Sequence, residues 1–220
     1  MSKRLVIIGS GQMAELFCSN LTHSSGYEVA GFAVDREFIK GTQLLGRPLV
    51  PFDEVASRFP PASFEAFVAI GPVQNNAVRA ARFLELRRQG YRFASYISPR
   101  AEVSPDARLG ENLSIGHFCS IGPWASIGDN VLIGSSSIIG HHCQVHSHAF
   151  LPAHVVMAGS VVVGERAFVG IGAVIRDNVS IGEGSVIGAG ATILGDVEPN
   201  AVYVPAACRK LPMRADQARL

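Results

Sequence analysis

From residue 97 to residue 198 an aliphatic side chain returns at every sixth position, and no other feature limits so strongly what this chain can fold into. The first places of the seventeen hexads are Ile97, Val103, Leu109, Ile115, Ile121, Ile127, Ile133, Ile139, Val145, Leu151, Met157, Val163, Val169, Ile175, Ile181, Ile187 and Ile193, with no polar residue among them. Fifth places are mostly small, as at Ala101, Cys119, Ala125, Cys143 and Ala173, and glycine fills ten second places. Neither the helical period nor the two-residue alternation of an ordinary strand explains this pattern. A triangular solenoid does: each hexad is one short strand, its aliphatic side chain points inward, a small residue fits beside it, and three hexads close a coil. Residues eighteen apart then stack, and each coil buries its apolar side chains against the next. The second-place glycines are expected at tight corners, whose backbone conformations glycine reaches without steric cost. The period therefore predicts a left-handed parallel β-helix over residues 97–198, an exception to the usual right-handed crossover. Residues 199–220 read as a C-terminal extension.

Residues 1–96 follow different periods. Arg4 to Gly9, Glu28 to Val34 and Phe64 to Ile70 read as strands, Gln12 to Leu21 and Asn75 to Gln89 as helices, the second ended by Gly90. Gly46 to Pro51 and Pro60-Pro61 read as connections, and Tyr91 to Tyr96 as a last strand leading out of the sheet. The alternation predicts a small Rossmann-like α/β domain with a parallel sheet. Its first turn, Gly9-Ser10-Gly11-Gln12-Met13-Ala14, is a Gly-x-Gly-x-x-Ala loop between strand and helix, where backbone N–H groups suit a phosphate. Asp35 ends the second strand, where a ribose-binding acid lies in a dinucleotide fold, and Gly71 opens a second loop at the same edge.

Nineteen basic and eighteen acidic side chains leave a formal charge of +1, which gives no field to draw nucleic acid or an anionic membrane. The apolar run Leu5 to Ile8 is too short for a signal-peptide core or a membrane span, so a cytoplasmic protein is expected. Cys18, Cys119, Cys143 and Cys208 show no paired spacing and are expected as free thiols.

Five of the seven histidines, His141, His142, His146, His148 and His154, fall within fourteen residues. His141 is the third residue of its hexad, on the outer face, and Gly159 lies one coil above it. His142, His148 and His154 take the fourth places of successive hexads, hence three different sides of a coil, where they read as corner or surface residues; His117 reads as a surface residue on a different side from His141.

At these repeats the chain resembles the hexapeptide-repeat acyltransferases, and with its Rossmann-like front half it looks like the bacterial nucleotide-sugar acetyltransferases of the sialic acid O-acetyltransferase type. The resemblance covers essentially the whole chain. It implies a homotrimer with acetyl-CoA as co-substrate between adjacent β-helices and a nucleotide-linked sugar held by Gly9, Ser10, Gly11, Asp35 and Gly71. It implies His141 as general base, in Gly140-His141-His142-Cys143, and the Gly159 N–H as oxyanion donor. Tyr203-Val204-Pro205-Ala206 resembles the Gly-x-Pro-Ala stretch near the CoA, with tyrosine where glycine is usual. Two further departures stand out. Gln12 replaces a histidine common after the glycine turn. His142 stands where the family commonly has an acid, leaving His142 itself, Asp129 across a subunit contact, or a backbone carbonyl to orient His141. Acid–base chemistry suits imidazole near neutral pH, and the tetrahedral intermediate of acyl transfer needs a donor at its oxygen. His154 is a candidate for contact with acceptor or cofactor.

The expected activity is transfer of acetyl from acetyl-CoA to the amine of a nucleotide-linked sugar. Three rivals stay open: O-acetylation of a sugar hydroxyl; a non-catalytic, nucleotide-binding trimeric scaffold; and a zinc enzyme like the γ-class carbonic anhydrases, suggested by the His-x4-His spacing of His141 and His146 with His117 as a third ligand. The spacing of His117 argues against a metal, and none is expected.

Overall fold

The computed structural model describes residues 3–24 and 26–206. Cys208 lies outside them; Cys18, Cys119 and Cys143 are free and buried.

The N-terminal unit is built on a five-stranded sheet. Strand β1 (Lys3–Ile8) pairs in parallel with β2 (Tyr27–Val34) on one side and β5 (Glu65–Val68) on the other, and β2 pairs in parallel with β4 (Arg47–Pro51). A two-residue strand, β3 (Gln43–Leu44), turns back antiparallel on β4. Alternation along β1 feeds two cores. Leu5 and Ile7 face α1 (Gln12–Ser24) with Phe17, Leu21 and Phe67, while Val6 and Ile8 join Val55 of α2 (Val55–Arg58) and Phe83 and Leu86 of α3 (Ala77–Arg88). A sheet apolar on both faces must be covered on both.

Two expectations fail here. Residues 46–51, read as a connection, contain β4; its prolines at 48 and 51 disguise it, and are tolerated because only the short β3 lies outside it. Tyr91 to Tyr96 does not form a strand of the sheet: Phe93 makes one bridge to Ala66, and Tyr96–Ile97 is already the first rung of the solenoid, paired with Ser114–Ile115.

The second unit is a three-sided parallel β-helix whose sheets hold six, five and seven two-residue strands. Ile121 pairs with Ile139, Ile139 with Met157 and Met157 with Ile175, so each coil advances eighteen residues. First-place and fifth-place side chains together fill one continuous core from Leu113 to Val197.

The corners are not made as expected. The second-place glycines from Gly110 to Gly140 lack positive φ; they are there because coils approach too closely for a side chain, a Cβ on Gly122 falling 2.7 Å from the amide nitrogen of His141. The left-handed conformation falls on the fourth places instead: from Asn112 to Gly190 every one has φ between 55° and 71°, and only Gly172, Gly184 and Gly190 are glycine. From Asn130 to Gly190 each of these residues donates its amide to a third-place carbonyl one coil back, as His142 does to Pro123 and His154 to Ser135. The seventeenth hexad keeps Ile193 in register with Ile175 and both inward places in the core, but the period slips after it. Val197 bridges to Ile181, a first-place residue, and Val186 pairs with Val202, so the last coil is two residues short and a final rung, Val202–Tyr203, lies beyond residue 198.

The three corners have different neighbours. Phe118, Ser136 and His154 mark the first; Trp124, His142 and Ser160 the second; Asn112, Asn130, His148, Arg166 and Gly184 the third. The N-terminal unit packs on the third: Val68 donates its N–H to Asn112 Oδ1 at 2.8 Å, Asn75 and Asn76 reach the carbonyls of Gly184 and Arg166, and Arg87 pairs with Asp129 and Glu111. Leu132 and Phe150, on the adjoining side, pack into the core beneath α1. Among the described residues no helix is long and apolar enough to cross a membrane.

Candidate active site

Two sites take shape, one in each unit. At the carboxyl edge of the parallel strands a cleft of about 1000 Å³ is lined by Gly9, Ser10, Gly11, Asp35 and Gly71, all five of the positions singled out there from sequence. Gly9 has φ +129°, and a Cβ on it would stand 2.8 Å from the Ala69 carbonyl oxygen, so the turn accepts no side chain. The loop runs directly into α1, whose N-terminus gives the cleft a positive pole.

Asp35 does not stand alone. Arg82 of α3 donates from Nη2 to its Oδ1 at 2.7 Å and from Nη1 to Glu85 at 2.7 Å, while the guanidinium lies 4.4 Å above the Phe52 ring. Burial disfavours the charged guanidinium, but the bonds to Asp35 and Glu85 outweigh it and hold the Arg82 pKa above its ordinary value. One carboxylate oxygen is thereby fixed, and the other has no partner among the described residues. Lys40 and Phe38 also line the cleft. Sequence reading missed Arg82, Lys40 and Phe38; Arg82 meets Asp35 across forty-seven residues, and no local pattern announces such a pair.

The second site lies at the second corner. The His141 imidazole rests on Gly159: a Cβ there would come 2.6 Å from Nε2 and nearer still to Cε1, so the ring occupies the space that glycine leaves. Like most third-place amides of the solenoid, the Gly159 amide makes no hydrogen bond among the described residues and is left open to a ligand; only those of Glu111 and Asp129 donate, to Asp129 Oδ1 and Ser147 Oγ. His141 Nδ1 lies 3.0 Å from His142 Nδ1, so one of the two rings donates to the other. His142 is stacked in turn on Trp124, with ring centroids 4.8 Å apart. Cys143, next in sequence, is fully buried, donates to the Ala158 carbonyl, and has its thiol pKa raised by burial, so it packs the core and is no nucleophile.

Residues 125–159 and 160–195 each match the family model described as bacterial transferase hexapeptide, six repeats. Solved structures are similar over nearly the whole chain. One is perosamine N-acetyltransferase from Caulobacter crescentus, in a histidine-to-asparagine mutant with CoA and GDP-perosamine: 29% identity, TM-score 0.83, covering 93% of this chain and 94% of that one. The acetyltransferase domain of PglB from Neisseria gonorrhoeae shares 21% identity at TM-score 0.83, covering 93% and 97%, and WeeI from Acinetobacter baumannii shares 20% at 0.78, covering 92% and 97%. These last two show the fold alone. No curated protein matches the chain in sequence.

Within the hexapeptide repeats the other histidines disperse. His148 is not a surface residue: it is 4% exposed beneath α3, accepts at Nδ1 from Asn130 at 2.8 Å, and meets Phe83 edge to face. Burial, with Arg79 nearby, pushes its pKa down to about 4. His154 is exposed at the first corner, away from His141 within one chain, and His117 bonds Ser98 Oγ at 2.6 Å at that same corner. Asp129 is engaged by Arg87 at the third corner, so within the chain it does not orient His141. Among the described residues no three His, Cys, Asp or Glu side chains of one chain gather to hold a metal.

Proposed function

We propose that the chain is an acetyl-CoA-dependent N-acetyltransferase acting on a nucleotide-linked amino sugar. The observation that carries this reading is the His141 ring lying on Gly159, whose amide has no hydrogen-bond partner among the described residues. His141 acts as base through Nε2, which requires its Nδ1 to carry the proton and donate to His142 Nδ1. His142, held against Trp124, takes the orienting place of an acid, and the Gly159 N–H receives the negative oxygen that forms when the amine attacks the thioester. Transfer is direct, because the nearby thiol of Cys143 is buried.

The cleft of the N-terminal unit, acting as a Rossmann-like domain, takes the nucleotide: its glycine loop and α1 suit the pyrophosphate, and the free oxygen of Asp35 suits a nucleoside hydroxyl or N–H. An amine acceptor is favoured over a hydroxyl because the 29%-identical neighbour was solved with a nucleotide-linked amino sugar. Cleft and His141 lie on different corners of one chain, so a left-handed β-helix of this kind works as a homotrimer in which a neighbour's cleft serves each His141. Ile138 and Val174, 47% and 44% exposed and aligned with Val156 on the side running into Gly140-His141, support such a contact.

The test is thiol release from acetyl-CoA with UDP-, GDP- and dTDP-linked amino sugars and their hydroxyl analogues. Wild type is expected to turn over one amino sugar, and His141→Ala to lose about 10²–10⁴-fold in kcat. Turnover that survives the substitution would remove His141 as base; turnover only with hydroxyl acceptors would replace N- with O-acetylation.

A further inference from the structure

Arg79 of α3 is a charged side chain that is fully buried between the two units and, among the described residues, has no acidic partner. Its Nη1 donates to the carbonyl of Asn130, and its Nη2 to Asn76 Oδ1 at 2.9 Å and the carbonyls of His148 at 2.8 Å and Ala149 at 3.4 Å; Nε is buried without a partner. A chain that needed only a stable contact here would do as well with an apolar residue, since a buried cation is costly even when well bonded. The guanidinium instead grips main-chain oxygens of two successive coils at the third corner, directions that fix where a helix sits as an oily contact does not.

A second line of polar contacts runs beside it. Asn112 Nδ2 donates to Asn130 Oδ1 at 2.7 Å and Asn130 Nδ2 to His148 Nδ1 at 2.8 Å, so with the Val68 N–H to Asn112 the bonds continue across three coils. Both lines end next to residues of the cleft wall. Val68 precedes Ala69 and Gly71 of the cleft wall, and Arg79 lies one turn before Arg82, which holds Asp35. Between wall and helix, Gln74, Asn75 and Asn76 take φ of 47°, 49° and 65°, three successive left-handed residues without a glycine. Such a run is retained only where its surroundings impose it, and the bonds of Asn75 and Asn76 to the third corner do so.

We infer that Arg79 is a positioning residue for acetyl transfer: by locking α3 onto the third corner it sets where the cleft presents the acceptor amine relative to His141. The inference rests on the acetyltransferase reading above. Arg79 touches neither substrate, so its removal leaves both binding sites formed and shifts one against the other.

The experiment compares the full-length wild type with Arg79→Met, Arg79→Lys and Asn76→Gly. It measures thermal unfolding, calorimetric affinity for the nucleotide sugar and for CoA, and kcat at saturation. Expected are folded variants with unchanged affinities for both ligands and a kcat for Arg79→Met lower by about 10²-fold, the cost of misplacing reacting groups by about 1 Å. Arg79→Lys, which keeps the charge but not the fork, is expected to fall between. Unchanged kcat in a folded variant would reduce Arg79 to a staple and overturn the inference, as would a nucleotide affinity that falls in step with kcat/KM. Should Arg79→Met not fold, Asn76→Gly decides, since glycine keeps the left-handed backbone and removes only the Arg79 acceptor and the bond to Arg166. Absence of turnover by the wild type is a separate outcome: it would remove the acetyltransferase reading, and this role with it.

Discussion

Gly159 and His148 show how single residues divide the work. Gly159 matters for the space it leaves: the His141 ring sits where its side chain would be. Gly159→Ala is therefore expected to fold, because that corner is exposed on the outside of the coil, yet to drive the imidazole off its amide and lower kcat by about 10²-fold, measured beside CoA affinity. His148 has a structural role and a pH signature. Its folded pKa of about 4 lies below the ordinary value of 6.5, so the folded state takes up its proton later than the unfolded chain does. Stability is complete above pH 6.5 and is lost as pH falls toward 4, by about 3 kcal/mol at most. Thermal unfolding from pH 7 to pH 4 should show this loss in the wild type and a smaller one in His148→Gln. The opposite ranking would mean that other groups carry the acid sensitivity.

At the scale of elements, the left-handed corners make an unusual demand. Eleven of the fourteen fourth places from 112 to 190 pay the steric cost of an L-residue with positive φ. Ser136 has φ 61° and keeps its bond to the His117 carbonyl whatever its side chain. Ser136→Gly should therefore raise stability by up to about 1 kcal/mol, the relief of strain exceeding the entropy glycine gains when unfolded, readable as a higher midpoint in urea. The same corners show what the sequence could reveal. The period of six is written locally in every hexad, so the solenoid was legible, and its coil length turned His141 and Gly159 into neighbours by counting. The glycine loop was legible because strand, turn and helix adjoin in sequence. Strand β4 was hidden by its prolines. Arg79, Arg82 and the burial of His148 were hidden because their partners lie forty-seven to seventy residues away, where only the docking of two units brings them together. The role of the second-place glycines was misread since composition alone does not separate a strained φ from a close approach.

For the whole molecule, the proposed mechanism has to bring a cleft at one corner to a histidine at another. The apolar stripe of Ile138, Val156 and Val174 leads into His141, and replacing its exposed ends with Ile138→Glu and Val174→Glu should yield folded monomers. Their acetyl transfer should be lost while nucleotide affinity remains, as sedimentation and calorimetry would show. A trimer that persists with full activity would place the contact elsewhere.

The shortened last coil bears on a hazard all such solenoids share. A regular coil ends in a ladder of main-chain groups that another coil, of this chain or a second copy, could extend without limit. Here the rise from Ile193 to Val197 loses two residues, and Asp196 accepts the Ser180 amide that a further strand residue would have taken. The final rung thus stands out of step with the repeat beneath it. An incoming coil of eighteen residues laid on this rung would find its corners over the wrong places, so the register change works against end-to-end extension of the rod.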